Sequence, residues 1–282
     1  RRFSIKGRAV KGAVAADFVV AKDHRAFGPA LALQRRLVES LGPEGIELAC
    51  GFPNPQAEMV LRRAGFFEAG RAGRFVKLLA TGERLKKYIQ VPAINRAVSV
   101  VADTVLHAGS RERAYRRPSG VVAREIGAFG PSFDRLWEKA KGAFPVTGER
   151  SSAYLNWRYA GLGKGRYVTL AVEGGAETLG FAVYGVEGLT ARVYDIVPAD
   201  LEGSFEVLMG EFVAHLKGKG VSAISLLYLG SERFTTKLRE WNFTRREDEN
   251  PFVAALPAGA GEEAGRLFKD PLNWHIFEGD DI

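Results

Sequence analysis

Phe18-Val-Val-Ala-Lys-Asp-His-Arg-Ala-Phe-Gly-Pro-Ala30 is the stretch that decides the fold. It begins as the end of an almost continuously apolar run, residues 13–20, which reads as a strand buried on both faces. A short loop over 21–28 follows, then a helix over 29–41 with Leu31, Leu33, Leu37, Val38 and Leu41 as its apolar positions. Pro29 suits a helix start, where the N–H it lacks would have no partner in the ladder, and Gly42-Pro43 ends the helix. Such a turn aims several backbone N–H groups and the positive end of the helix dipole at one point. Gly28 and Ala30 are small enough to let a ligand reach the backbone, and Arg25 adds a fixed positive charge. Arg25-x-x-Gly28-x-Ala30 therefore reads either as a pyrophosphate cradle or as an ordinary strand-to-helix turn.

Upstream, residues 2–8 read as a strand joined to 13–20 by a Lys11-Gly12 turn. Downstream, a strand over 45–51 is broken by Pro53-Asn54-Pro55, a helix over 56–64 is closed by Gly65, and 66–79 read as a hairpin around 70–73. The chain opens at Arg1, part-way through what reads as a strand, so an amino-terminal truncation is expected. Residues 83–132 form a basic, mostly helical connector whose Arg111–Arg117 run (RERAYRR) suits a solvated face or a phosphate contact. From Phe133 a second set follows. It has a helix over 133–141, an aromatic-rich segment over 151–159, and strands over 166–172, 178–186 and 189–197. A helix over 205–216, a strand over 223–229, a helix over 234–241 and a strand over 252–256 complete it. The order matches that of the first 80 residues, which suggests an internal structural duplication. The expected organisation is a first module over 1–82, the connector over 83–132 and a second module over 133–282.

Composition removes several classes. One cysteine, Cys50, excludes a disulfide framework within the chain and a multi-Cys zinc site, and fits a reducing cytoplasm. Cys50 reads as a packed core residue. The four histidines have no metal-ligand spacing, so no metal is expected, and no apolar run is long enough to span a bilayer. The net charge of +7 hides a split: residues 1–150 carry 27 basic and 14 acidic side chains, and residues 151–282 carry 13 and 19. The basic part should face a polyanion.

At these residues the chain resembles the GNAT superfamily of acyl-CoA-dependent N-acetyltransferases. The matching positions are Val19-Val20, Arg25–Ala30, Asn54 and Gly65-Phe66, in the family's order and at its distances. The later half, through Phe133–Trp137, Tyr154–Tyr159 and Trp274–Asp281, resembles the second repeat of tandem-GNAT bacterial proteins. The resemblance implies an α+β (α/β) fold of two GNAT-like modules, each a mixed, largely antiparallel sheet flanked by helices. It implies binding of acetyl-CoA or another acyl-CoA by Val19, Val20, Arg25, Ala26, Phe27, Gly28, Pro29, Ala30 and Asn54. Direct acyl transfer to a primary amine of a small molecule or sugar would follow. The thioester carbonyl would be polarised by a backbone N–H near Val19 or Val20. Asp17 is the best general-base candidate, and Asp195, on the corresponding later strand, is the second.

Two positions depart from the family. Leu61 stands where a thiolate-protonating Tyr is usual, and Pro29 removes one N–H from the cradle. In the second repeat the loop after strand 189–197 offers Asp200, Glu202 and Glu206 instead of an arginine. Carboxylates there would repel a pyrophosphate by about 1–4 kcal/mol in a wet site, so that repeat is not expected to bind CoA. Two alternatives stay open. One is a degenerate, non-catalytic GNAT pair used for binding or regulation. The other is a Fem-type transferase using aminoacyl-tRNA, against which stands a pyrophosphate loop that Fem-type proteins do not need.

Overall fold

β1 (Arg2–Ile5) and β2 (Arg8–Val14) form a hairpin whose turn is Lys6-Gly7, both at positive φ. The turn expected at Lys11-Gly12 is strand instead. Gly12 pairs with Leu48 of β3 (Leu48–Gly51) and lies under Phe3, whose ring would come within 2.5 Å of a Cβ. Its lack of a side chain serves packing, not bending. β2 stops at Val14, short of the predicted 13–20. The computed structural model describes residues 1–16, 19–21, 27–82, 111–161 and 165–281. Asp17, Arg25, Ala26 and residues 83–110 of the predicted connector lie outside these.

α1 (Phe27–Ser40) links β2 to the parallel β3, and α2 (Pro55–Ala64) links β3 to β4 (Phe67–Leu78). β4 is one 12-residue strand, not the hairpin expected around 70–73. Gly70 and Gly73 mark close approaches: a Cβ would meet Leu229 and Pro271 at 2.8 Å, and the Arg245 guanidinium at 2.6 Å. Then follow α3 (Arg111–Ala114), β5 (Val121–Ile126), α4 (Pro131–Ala140), β6 (Val146–Gly148) and α5 (Ser152–Leu155) with a π turn, Asn156–Gly161. β7 (Val168–Gly174), β8 (Glu177–Glu187) and β9 (Thr190–Pro198) form an antiparallel meander. α6 (Ser204–Gly218) leads to β10 (Ala223–Gly230), α7 (Glu232–Glu240) to β11 (Thr244–Ala255), and α8 (Glu262–Lys269) to β12 (Trp274–Phe277). The described end of the predicted helical connector thus contains a strand, β5, paired with β7. Arg111 and Arg117 of its arginine run hold Glu206, Glu240 and Glu211 on the helices of the later half.

The twelve strands among the described residues form one mixed sheet in the order β12-β6-β1-β2-β3-β11-β4-β10-β9-β8-β7-β5. β4 and β11 have changed places. β11, late in the chain, lies between β3 and β4, and β4, early in the chain, lies between β11 and β10. Pairing of β12 with β10 closes eight strands, from β12 round to β10, into a circuit. Phe3, Val10, Leu48, Cys50, Phe252 and Trp274 fill its core, with Phe268 of α8 against them. Alternate residues face outward: Ala13, Ala15, Ala49, Val253 and Ala255 pack on Leu41, just after α1, and Leu61 of α2. Beyond β10, α6 and α7 cover one face of the remaining strands, and α4 and α5 the other.

Candidate functional site

Among the described residues, β2-α1-β3 and β9-α6-β10 are the two places where a helix joins neighbouring parallel strands, and each sets a helix start beside parting strands. In the first, β2 and β3 pair up to Val14 opposite Cys50, and the Ala15 N–H donates to the Cys50 carbonyl at 2.8 Å. Gly51 lets the strands touch once more, because a Cβ there would lie 2.7 Å from the Ala15 carbonyl oxygen. Among the described residues no strand pairs between them past that point. Residues 19–21 continue without strand structure, and Val19 is 82% exposed. α1 starts at Phe27 with no acidic residue in its first turn. Gly28 and Pro29 are exposed, Ala30 is buried, and a Cβ on Gly28 would meet nothing within 4 Å. Among the described residues, the start of α1 therefore has no carboxylate of its own first turn beside its unpaired N–H groups.

The second arrangement is the same in outline and opposite in content. Asp200 precedes α6, and its Oδ1 accepts from the N–H groups of Glu202 at 2.9 Å, Gly203 at 2.7 Å and Ser204 at 3.3 Å. The Ser204 hydroxyl donates to Oδ2. Burial would raise the Asp200 carboxyl, but these donors hold it below the usual carboxylate range. A side-chain carboxylate therefore takes the N–H groups an external phosphate would need. Glu206, in the first turn, accepts from Trp241 Nε1 at 2.9 Å and pairs with Arg111 at 3.2 Å.

The parting of β9 and β10 is also taken. Their pairing ends at Val193 opposite Leu226, and β12 then runs antiparallel to residues 228–230 of β10. The turn after β12, Glu278–Asp280, packs on β9: a Cβ on Gly279 would meet the Tyr194 carbonyl oxygen at 2.5 Å. A buried ion cluster locks this tail. Asp280 binds Arg150 at 2.7 Å and Arg1 at 2.5 Å, and Arg150 reaches Asp195 at 3.1 Å. Against the burial that would raise it, Arg150, Arg1 and the Phe277 N–H hold the Asp280 carboxyl down at about 2. Asp195, 2% exposed, is pushed the other way by burial, with Arg150 opposing.

Of the residues picked from the sequence, Val19 and Val20 fall on the β2-to-α1 connection, and Phe27, Gly28, Pro29 and Ala30 form the first turn of α1. Asn54 caps α2, its Oδ1 accepting from the Ala57 N–H at 2.8 Å. Leu61 is 3% exposed and packed in the core between helices and sheet. Cys50 is buried, which pushes its thiol up to about 12. Asp195 belongs to the ion cluster of the tail. Arg150 and Asp280, which complete that cluster, were not picked out from the sequence. No local motif marks a buried arginine whose partners come from β9 and from the carboxy-terminal tail. Among the described residues no group of His, Cys, Asp and Glu could hold a metal ion, and no helix is long and apolar enough to cross a membrane.

No family model and no curated protein sequence matches the chain. Solved structures do. A GCN5-related N-acetyltransferase from Anabaena variabilis ATCC 29413 aligns over 90% of this chain with a TM-score of 0.63 and 14% identity. One from Kribbella flavida aligns over 90% with a TM-score of 0.56 and 16% identity. Saccharomyces cerevisiae N-myristoyltransferase, solved with bound myristoyl-CoA, aligns over 90% with a TM-score of 0.54 and 11% identity. This chain spans 57%, 55% and 61% of their lengths. At such identities the likeness is one of fold: a mixed α/β architecture shared with GCN5-related N-acetyltransferases.

Proposed function

We propose that the chain is an acyl-CoA-dependent N-acyltransferase, with acetyl-CoA as the simplest donor and a primary amine of a small molecule or sugar as acceptor. The observation that carries this reading is the contrast between two equivalent helix starts. That of α6 is occupied by Asp200, whereas that of α1 has no acid in its first turn and an exposed Gly28. The residues fit a diphosphate: the first-turn N–H groups of Phe27 and Gly28 have no acceptor within the 14-residue helix, and Arg25 would add the matching charge. The donor, when bound, supplies an activated thioester. The backbone N–H of Val19 or Val20 would donate to the carbonyl oxygen, and Asp17 would take the ammonium proton, directly or through water. The C–N bond forms as the C–S bond breaks. The thiolate takes its proton from water, because Leu61 has none to give and is buried. The carboxylate of Asp195, held by Arg150, supports the tail in this reading and leaves Asp17 the proton-transfer role. Titration calorimetry tests the binding step: CoA binds the wild-type chain saturably, and Arg25→Glu weakens it strongly. A chain that binds neither CoA nor any acyl-CoA would end the proposal.

One observation favours a second reading. Leu61, at the position where the family places its acid, is built into the hydrophobic core. A binding or regulatory GNAT pair would bind CoA and release no thiol from acetyl-CoA across a broad panel of amines; thiol release with any amine decides for the enzyme.

A further inference from the structure

We infer that Gln34 is a ligand-binding residue: its buried side-chain carbonyl accepts an amide N–H from the pantetheine arm of a CoA donor passing between β2 and β3. The inference rests on the acyl-CoA reading above. Gln34 is 4% exposed, and its Oε1 is buried with no hydrogen-bond partner. It stands on the inward stripe of α1 made by Ala30, Gln34, Leu37 and Val38, which Leu41 continues just past the helix end. Leucine or alanine would be the ordinary occupant of such a position, and native interiors rarely leave a buried amide oxygen unmade.

The place of Gln34 along the helix gives the amide its meaning. α1 connects two adjacent parallel strands and so runs back against them. Its Leu41 end is fixed beside the start of β3, since the Ile46 N–H donates to the Leu41 carbonyl at 2.8 Å. Gln34 is two turns back, about 10 Å at 1.5 Å per residue. That is about three residues along a strand, which brings it level with residues 49–51. There β2 and β3 cease to pair, and the facing positions carry only small side chains, Ala15, Ala49 and Gly51. An amide oxygen is an acceptor and offers nothing to a phosphate. Its complement is an uncharged N–H donor that can enter a narrow, mostly apolar slot, and the two secondary amides of a pantetheine arm are such donors.

Calorimetric titrations of CoA and of 3′,5′-ADP, which carries no arm, separate the possibilities when run without any amine. For Gln34→Met, CoA affinity should fall about tenfold, the loss of one buried hydrogen bond. The 3′,5′-ADP affinity should stay within about twofold, and the melting temperature of the ligand-free chain should hold or rise. Unchanged CoA affinity, or an equal loss for both ligands, overturns the inference while leaving the acyl-CoA reading standing. Failure of the wild-type chain to bind CoA removes both. Gln34→Leu repeats the measurement with a second apolar side chain. If neither variant folds, the amide is structural and the inference fails.

Discussion

After β2 the chain enters α1 with no carboxylate in the first turn, while after β9 it enters α6 with Asp200 already bound to three N–H groups. After β3 nothing among the described residues pairs into the parting of the strands, while after β10 the tail strand β12 does. The same local architecture is satisfied from within in the later half, and among the described residues of the earlier half no carboxylate or strand does the same. A helix start and a strand parting leave backbone donors and edges exposed, and a fold must either cover them or use them. The later half covers both with its own residues. The tail, Trp274–Phe277, and the buried ion cluster provide this cover, and we therefore place the proposed ligand in the earlier half.

The largest effect should come from breaking the cover. Asp280→Asn leaves Arg150 and Arg1 buried with one fewer anion, and should cost about 3–5 kcal/mol of unfolding free energy by urea titration. Because the folded Asp280 carboxyl sits at about 2, below its ordinary value of about 4, its contribution is full above the higher value. It is lost as pH falls from there toward 2. Stability of the wild-type chain should therefore drop over that window more than stability of Asp280→Asn. Equal slopes would mean the cluster does not lock the tail.

Next in size is the charge that the proposed donor site would draw on. Arg25→Glu should weaken CoA binding by about 2–4 kcal/mol, thirtyfold or more, while leaving the melting temperature within a degree or two. A like loss for both ligand and fold would mean that Arg25 is structural and the two helix starts do not differ in use.

A smaller effect tests the occupied start. Asp200→Ala removes the acceptor for three N–H groups and should cost about 1–2 kcal/mol of stability, with Asp200→Asn costing less because an amide oxygen can still cap. Neither should change CoA affinity. A CoA affinity that follows the Asp200 variants would place the ligand in the later half and reverse the comparison.

The strand-loop-helix and strand-Asn-helix order of the earlier half was legible because each signal is local: an apolar run, a Pro or Gly stop, an N-cap. What was not legible was long-range. Gly12, Gly70 and Gly73 read as turns, yet each is strand; at Gly12 and Gly70 another element, through Phe3 and Leu229, comes too close for a Cβ, and at Gly73 the Arg245 side chain lies over the position. A glycine needed for close approach and one needed for bending look alike in sequence. The exchange of β4 and β11 depends on pairings such as Val76 with Thr244, which no periodicity announces. At the site, Asp200 and its neighbours were legible as carboxylates in the wrong place for phosphate. Their part in capping α6 needed the geometry, as did the locking of Asp195 by a distant arginine.

Asn54 is the position where the comparison can be sharpened most finely, because it has two uses that a single variant confuses. Its side chain caps α2 by accepting from the Ala57 N–H, and the family resemblance gives it a ligand contact as well. Asn54→Ala should cost about 1 kcal/mol of stability through the lost cap alone. Asn54→Asp keeps the cap, since a carboxylate accepts the same N–H and suits the helix dipole, but it removes the amide N–H₂ donor and adds a negative charge. If Asn54 only ends the strand and starts the helix, Asn54→Asp binds CoA as the wild type does. If the amide also donates to the ligand, Asn54→Asp keeps its melting temperature and loses about tenfold in CoA affinity, a split that a capping role cannot produce.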